Sequence, residues 1–247
     1  MNPWNRGTAE VQSQSTVATD AGLRSYMLKV YNLMTSGVLL TGIIAYFAGN
    51  SQAFLSLVIS QNAATGAVGL SPLGWIIAFA PVAMVFLIGF KARHMSASSV
   101  KALFFGYAAL MGLSLFSIFL IYTGASILKV FFVTAGTFGL LSMYGYTTKK
   151  DLTSWGTFLM VGMWAMFLVT LANVFLFKSS GLDMVLPYIG VLLALGLTAY
   201  DTQKVKEIYY TTSGEGQAKA STLGALSLYF DFIYLFINLL RIMGDRR

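Results

Sequence analysis

The feature that most constrains this chain is its succession of long, almost uncharged apolar runs. A helical bilayer span needs about 20 consecutive apolar residues. Such runs recur about seven times, over roughly 28–48, 72–90, 101–122, 127–146, 155–177, 184–202 and 222–243. They are continuous rather than alternating, which argues for helices over strands, and the alternating segments of a membrane β-barrel are absent. Charged residues make up 10% of the chain and hydrophobic ones 57%, whereas a soluble domain carries about 25% charged residues. Too little polar surface is available to enclose a soluble core. The expected fold is an all-α integral membrane protein of about seven transmembrane helices.

Outside these runs the sequence is sparse. Residues 1–25, with QSQSTVATD, are polar and poor in aromatics and read as a disordered tail. They lack the apolar core and small-residue cleavage site of a signal peptide. Residues 26–247 form a single transmembrane domain without a convincing repeat. The stretch 49–71 reads as a loop with a short interfacial helix near 53–59. Trp75, Trp155 and Tyr144 near span ends suit an interfacial aromatic belt. Gly136 and Gly139 are expected to let helices approach closely, and Asn173, inside the fifth span, to bond across helices or line the path, with packing the favoured reading.

Net charge is +7, but the basic residues sit in short loops between apolar runs, so topology explains them and nucleic acid does not. With a cytoplasmic amino terminus, the inner segments hold eleven basic residues: Arg6, Arg24, Lys29, Lys91, Arg93, Lys101, Lys149, Lys150, Lys204, Lys206 and Lys219. The outer loops hold two, Lys129 and Lys178. The loops at 91–101, 147–154 and 203–221 are then cytoplasmic. Arg246 and Arg247 break the pattern if the last segment spans; a re-entrant last segment would restore it.

Several chemistries are excluded or disfavoured. There are no cysteines, so thiol catalysis and Cys metal sites are ruled out. The single histidine, His94, sits in a basic loop, which disfavours a rhomboid-type Ser-His protease or a His-based metal site. Tyr200-Asp201 superficially resembles one motif of the intramembrane aspartyl proteases, but no Gly-x-Gly-Asp turn accompanies it. The chain is not expected to be an enzyme or to hold a cofactor.

Two carboxylates stand out, because a charge at the centre of a span costs about 2.5–3.5 kcal/mol on insertion scales. Asp201 lies at the inner end of the sixth run, in LTAYDTQKVK, and Lys204 three residues on is a possible pairing partner. Asp231 lies well inside the last run. Asp231, Tyr234, Asn238 and Arg241 follow at intervals of three, four and three residues and share one helix face. A polar stripe on an apolar helix should face protein or water rather than lipid, which places this helix inside the other six. A structural reading, with Asp231 bonded to backbone or to Arg241, competes with a functional one. Arg241 lies about three turns away, roughly 15 Å along the helix, so a partner from another helix is expected.

The stretches GYAALMGLSLFSIFLIYTG (106–124), YGYTTKKDL (144–152), LTAYDTQKVKEIY (197–209) and LSLYFDFIYLFINLLRIMG (226–244) resemble the Bax inhibitor-1, or transmembrane BAX inhibitor motif, family. The likeness runs from about residue 24 onward, and the last two stretches are its specific part. It implies a last helix surrounded by two groups of three, in a bacterial inner-membrane member. It also implies a pH-sensitive calcium leak channel whose sensor is an aspartate pair, here Asp201 and Asp231, within hydrogen-bond reach directly or through one water. An arginine latch at the inner end of the second helix matches Arg93 in FKARHM; Lys91 or His94 would fit after a small shift of register. A further family arginine matches Arg241, and Tyr234 and Asn238 are path-lining candidates. The glutamate that some bacterial members carry in the second helix is missing from PVAMVFLIGF. Two carboxylates that meet in a low-dielectric site cannot both ionise easily and titrate as a unit. They are too few oxygens for tight calcium binding, so a weak, transient site is expected at Asp201 and Asp231. The alternative function is that of a regulator binding and modulating a membrane-bound AAA protease, with the polar tail as its handle.

Overall fold

The computed structural model describes residues 4–61 and 68–247, without the side chains of residues 4–20 and of Arg93. The chain order is α1 (Trp4–Asn50), α2 (Gln52–Val58), a hairpin of β1 (Ile59–Gln61) and β2 (Val68–Leu70), then α3 (Pro72–Lys91) and a 3₁₀ turn (Ala92–His94). It continues through α4 (Ala97–Ser114), α5 (Phe116–Ile121), α6 (Gly124–Thr147), α7 (Thr153–Ala172) with a π turn (Asn173–Phe177), α8 (Ser180–Thr211) and α9 (Gly214–Met243). Among the described residues, seven helical stretches are long and apolar enough to cross a membrane: Ala21–Asn50 of α1, α3, α4 with α5, α6, α7 with its π turn, α8 and α9. The polar tail expected at residues 1–25 lies mostly where side chains are outside the described residues.

The helix starts are written locally. Ser71 accepts from the Gly74 amide at 3.0 Å with Pro72 beginning α3, and Ser96, Thr123 and Ser179 cap α4, α6 and α8 in the same way. Between α4 and α5 the helix breaks at Leu115, where the Ser114 hydroxyl donates to the Met111 carbonyl at 2.9 Å.

Two groups of three spans surround the seventh. The first, second and third spans form one group, with α4 packed on both α1 and α3. The fourth, fifth and sixth form the other, with α8 packed on both α6 and α7. The last helix, α9, packs against α8, α1, α6 and α4, so the enclosure is made chiefly by four spans, with α3 and α7 as an outer layer. The most apolar 18-residue window of α9 is 67% buried, against 17% in α3 and in α7.

Several expectations need correcting. A strand pair does occur: β1 and β2 pair antiparallel, with Ile59 opposite Leu70, between the first two spans. Open sheet edges are tolerated there because water can satisfy them, as hydrocarbon cannot. The sixth span runs on to Thr211, so Asp201 lies ten residues inside the helix rather than at its end. Gly136 and Gly139 have nothing within 4 Å of where a Cβ would stand; close approaches occur instead at Gly112, against α1, and at Gly145, against Ala199. Asn173 closes the fifth-to-sixth connection, donating to the Ser179 carbonyl at 3.2 Å and to Asp183 at 2.9 Å.

The carboxyl end is anchored on the far face. The Thr123 amide donates to the Asp245 carbonyl at 3.1 Å, and the Arg247 amide to the Ile121 carbonyl at 2.9 Å. The Asp245 amide reaches the Ser126 hydroxyl at 2.9 Å. α9 therefore crosses the whole bundle and does not re-enter. The opposite face holds the turn after α3, the loop after α6 and the α8–α9 connection. Glu215 accepts there from the Ala97 amide at 3.4 Å, and Gln203 Nε2 donates to the Lys150 carbonyl at 2.8 Å. With Arg241, Arg246 and Arg247 on the far face, the basic residues divide eleven to five.

Candidate functional site

The α8–α9 pair runs antiparallel, and small residues set its register. A Cβ on Gly190 would stand 2.5 Å from Asn238 Oδ1, and one on Gly224 would stand 2.9 Å from Val205 Cγ2. These two contacts lie on either side of the carboxylates and put Asp201 opposite Ser227. The Ser227 hydroxyl donates to Asp201 Oδ2. Asp231 follows Ser227 by four residues, on the same face of α9 and about 6 Å deeper along the helix.

The two carboxylates differ in setting. Asp201 is half-buried and has Lys204, one turn away, within electrostatic reach. Asp231 is 4% exposed. It lies within the electrostatic reach of Asp201, and its Oδ2 has no hydrogen-bond partner among the described residues. A buried polar oxygen without a partner costs free energy, and an ionised one costs more. The hydrogen bond that links Asp201 to α9 comes from Ser227. Tyr234 and Asn238 continue the stripe; Asn238 is buried, packs on Gly190 and donates to the Tyr234 carbonyl at 2.7 Å. Arg241 is exposed, at the far end of α9.

Arg93 lies in the turn after α3, on the same face as the α8–α9 connection; its side chain is outside the described residues. His94 is exposed in that turn. Among the described residues, no group of three or more His, Cys, Asp or Glu is gathered where a metal ion could be held. Asp201, Asp231 and Ser227 offer oxygens alone, and fewer than the six to eight of a tight calcium site.

Two buried hydroxyl networks flank the carboxylates, and sequence reading misses both. The Tyr31 hydroxyl, Ser142 Oγ and Thr202 Oγ1 form a chain with links of 2.8 Å, and Thr202 donates on to the Thr198 carbonyl at 2.7 Å. This chain ties α1, α6 and α8 together. On the other side of α9, Thr41 donates to the Ala108 carbonyl at 2.8 Å and meets the Tyr229 hydroxyl at 2.7 Å. Hydroxyls in apolar helices can bond their own backbone, so composition does not mark them. A usable signal was the four-residue spacing of Ser227 with Asp231 and of Thr198 with Thr202.

The arrangement has relatives. A family model described as inhibitor of apoptosis-promoting Bax1 matches residues 23–247. The chain is similar to the inner membrane protein YbhL of Escherichia coli strain K12, 46% identical over 239 residues that cover 96% of this chain and 98% of that protein. It is 43% identical over 232 residues to protein RP147 of Rickettsia prowazekii, covering 92% of each. It is 41% identical over 251 residues to a protein of Caulobacter vibrioides, covering 100% of both.

Proposed function

We propose a function from one premise: the chain belongs to the Bax inhibitor-1 family. It acts as a pH-sensitive calcium leak pathway of a bacterial inner membrane, and Asp201 with Asp231 forms the titrating element. The observation that carries this reading is Asp231. It sits 4% exposed in the most enclosed span, with a carboxyl oxygen that has no hydrogen-bond partner among the described residues and with the Asp201 carboxylate of α8 within electrostatic reach. An intramembrane acid without a structural partner is a functional group by default.

The physical route is short. The two carboxylates titrate as a unit, because the charge on one bears on the other. Loss or gain of a proton changes the charge between α8 and α9, and with it the relative stability of their packed and parted arrangements. Ser227 links the states: its hydroxyl can donate to ionised Asp201 or turn toward Asp231 four residues on. Oxygen ligands suit a hard cation, and their small number suits passage rather than retention. Arg93 is the proposed latch, a cation that would pair with ionised Asp201. The amino terminus and the loops at 91–101, 147–154 and 203–221 lie on the cytoplasmic side in this reading. The cysteine-free chain allows a direct test: Ser98→Cys or Thr148→Cys should resist labelling from outside intact cells.

The functional test uses the purified chain in calcium-loaded vesicles that contain no other protein. Calcium efflux should depend on pH, and Asp201→Asn and Asp231→Asn should each flatten that dependence. The double variant should add little to either, as expected for one titrating unit. Retention of the wild-type profile by both single variants would make the pair structural. Absence of efflux at every pH would favour the competing reading, a regulator that binds and modulates a membrane-bound AAA protease.

A further inference from the structure

The two three-helix groups do not close against each other between α1 and α6. Two grooves open there toward the hydrocarbon. The outer one, about 480 Å³, is apolar, and Phe232, Ile233 and Phe236 of α9 line it. The inner one, about 430 Å³, is different: it is apolar along its length and basic at its end. Met27, Met34, Phe138, Gly139 and Met143 line it, the Tyr31–Ser142 hydrogen bond crosses its floor, and Arg24 stands at its mouth. Tyr146 lines the same end, and the Lys206 ammonium sits 5.4 Å over its ring and donates to its carbonyl at 2.8 Å. Among the described residues, no carboxylate lines the groove.

We propose that this inner groove is a binding site for one anionic glycerophospholipid, with its phosphate at Arg24 and one acyl chain lying between α1 and α6. Length supports the fit. From Arg24 to Met34 the helix rises about 15 Å, half of the roughly 30 Å hydrocarbon core, which is the depth of one leaflet. Charge supports it as well. The mouth carries an arginine, whose planar guanidinium can form two parallel bonds to a phosphate, and the Lys206 ammonium held against Tyr146 adds positive charge behind it. Surface chemistry agrees, since methionines adapt to a flexible chain better than branched side chains do. Gly139 completes the site, because the space beside it is empty within 4 Å of where a Cβ would stand. No close helix contact occupies that glycine, and its open side faces the groove. The bound lipid would fill the seam between the two groups and keep the Tyr31–Ser142–Thr202 chain from facing open hydrocarbon.

The test titrates phosphatidylglycerol or phosphatidylcholine into the delipidated, detergent-solubilised full chain and counts retained lipids by native mass spectrometry. The wild type should retain one phosphatidylglycerol and favour it over phosphatidylcholine by roughly fivefold or more, the scale of one basic residue at an anionic lipid. Arg24→Gln should abolish most of that preference without weakening phosphatidylcholine. Gly139→Leu and Met143→Trp, which fill the groove from two positions, should lower retention of both lipids. Gly89→Leu should change nothing: it adds the same side chain at a glycine of α3 that is equally open but lines neither groove. Wild-type retention in both groove-filling variants would overturn the site. An unchanged lipid preference in Arg24→Gln would overturn the headgroup assignment, and an equal loss in Gly89→Leu would reduce the effect to general lipid contact.

Discussion

The second and seventh spans are both apolar enough to cross a bilayer, yet they occupy opposite places in the molecule. α3 has the higher mean hydropathy, 2.3 against 1.7 in α9, and is the less buried, 17% against 67%. In water the more apolar helix would be inside. In a bilayer, lipid solvates apolar side chains as well as protein does, so the more polar helix is the one that must be enclosed. Phe90 and Ile76 of α3 are largely exposed, as are Phe158 and Leu168 of α7, whereas Leu228, Tyr229 and Leu235 of α9 are fully buried around Asp231 and Asn238. Position in the bundle follows polarity, and tight packing follows position.

The contrast can be broken most sharply by truncating a side chain in each helix. Leu235→Ala should cost about 2 kcal/mol or more, through the cavity left at a fully buried site. Leu87→Ala, on the exposed face of α3, should stay within about 0.5 kcal/mol. Reversible unfolding in mixed detergent micelles reads both, and equal costs would remove the distinction between centre and periphery.

A smaller difference is expected at glycines. Gly190→Ala places a Cβ 2.5 Å from Asn238 Oδ1, so the buried Asn238 amide must move or α8 and α9 must part, a cost of about 1–3 kcal/mol for overpacking. Gly89→Ala meets nothing and should stabilise by up to about 1 kcal/mol through helix propensity. The same unfolding assay gives the two signs; stabilisation at both sites would mean that propensity outweighs the Asn238 contact.

The smallest effect concerns how a peripheral helix is held. Asp151 Oδ1 accepts from the Thr153 amide at 2.8 Å at the start of α7, in the loop outside the membrane. The Thr153 hydroxyl and amide hold its carboxyl below the usual range. Its contribution is therefore present above the unfolded carboxyl value of about 3.9 and is lost as pH falls through the lower folded value. Asp151→Asn should lower Tm slightly near neutral pH, and the gap to wild type should close in acid. A gap that widened in acid would reverse the sign. Solvent screening keeps the whole effect small.

Much of this was legible in the residues. Continuous apolar runs mark spans because every backbone group must be bonded within the helix, and the three-four-three spacing of Asp231, Tyr234, Asn238 and Arg241 marks the enclosed face. Arg241 shows where the pattern ends: it shares that face, but near the end of α9 it reaches solvent. The limits of α8 were less legible. Hydropathy falls after Asp201 while the helix continues to Thr211, because polar residues such as Gln203 and Lys206 bond to the loop after α6 and to the end of α6. The spacing of Ser227 with Asp231 places the two on one face, but a serine in an apolar helix carries no sign of a partner on another helix.

By itself, then, the sequence determined that the chain is built from about seven apolar helical segments suited to a membrane, and which of them cannot face lipid, since both follow from the transfer of polar groups into hydrocarbon. Only the tertiary structure decided that α9 crosses completely and is pinned by Asp245 and Arg247 to the 121–126 segment. Only it could match Asp201 with Ser227 and leave a groove beside Gly139. These depend on which helices meet and at what height. Among side chains all compatible with lipid, that choice rests on packing and a few hydrogen bonds between residues far apart in the chain.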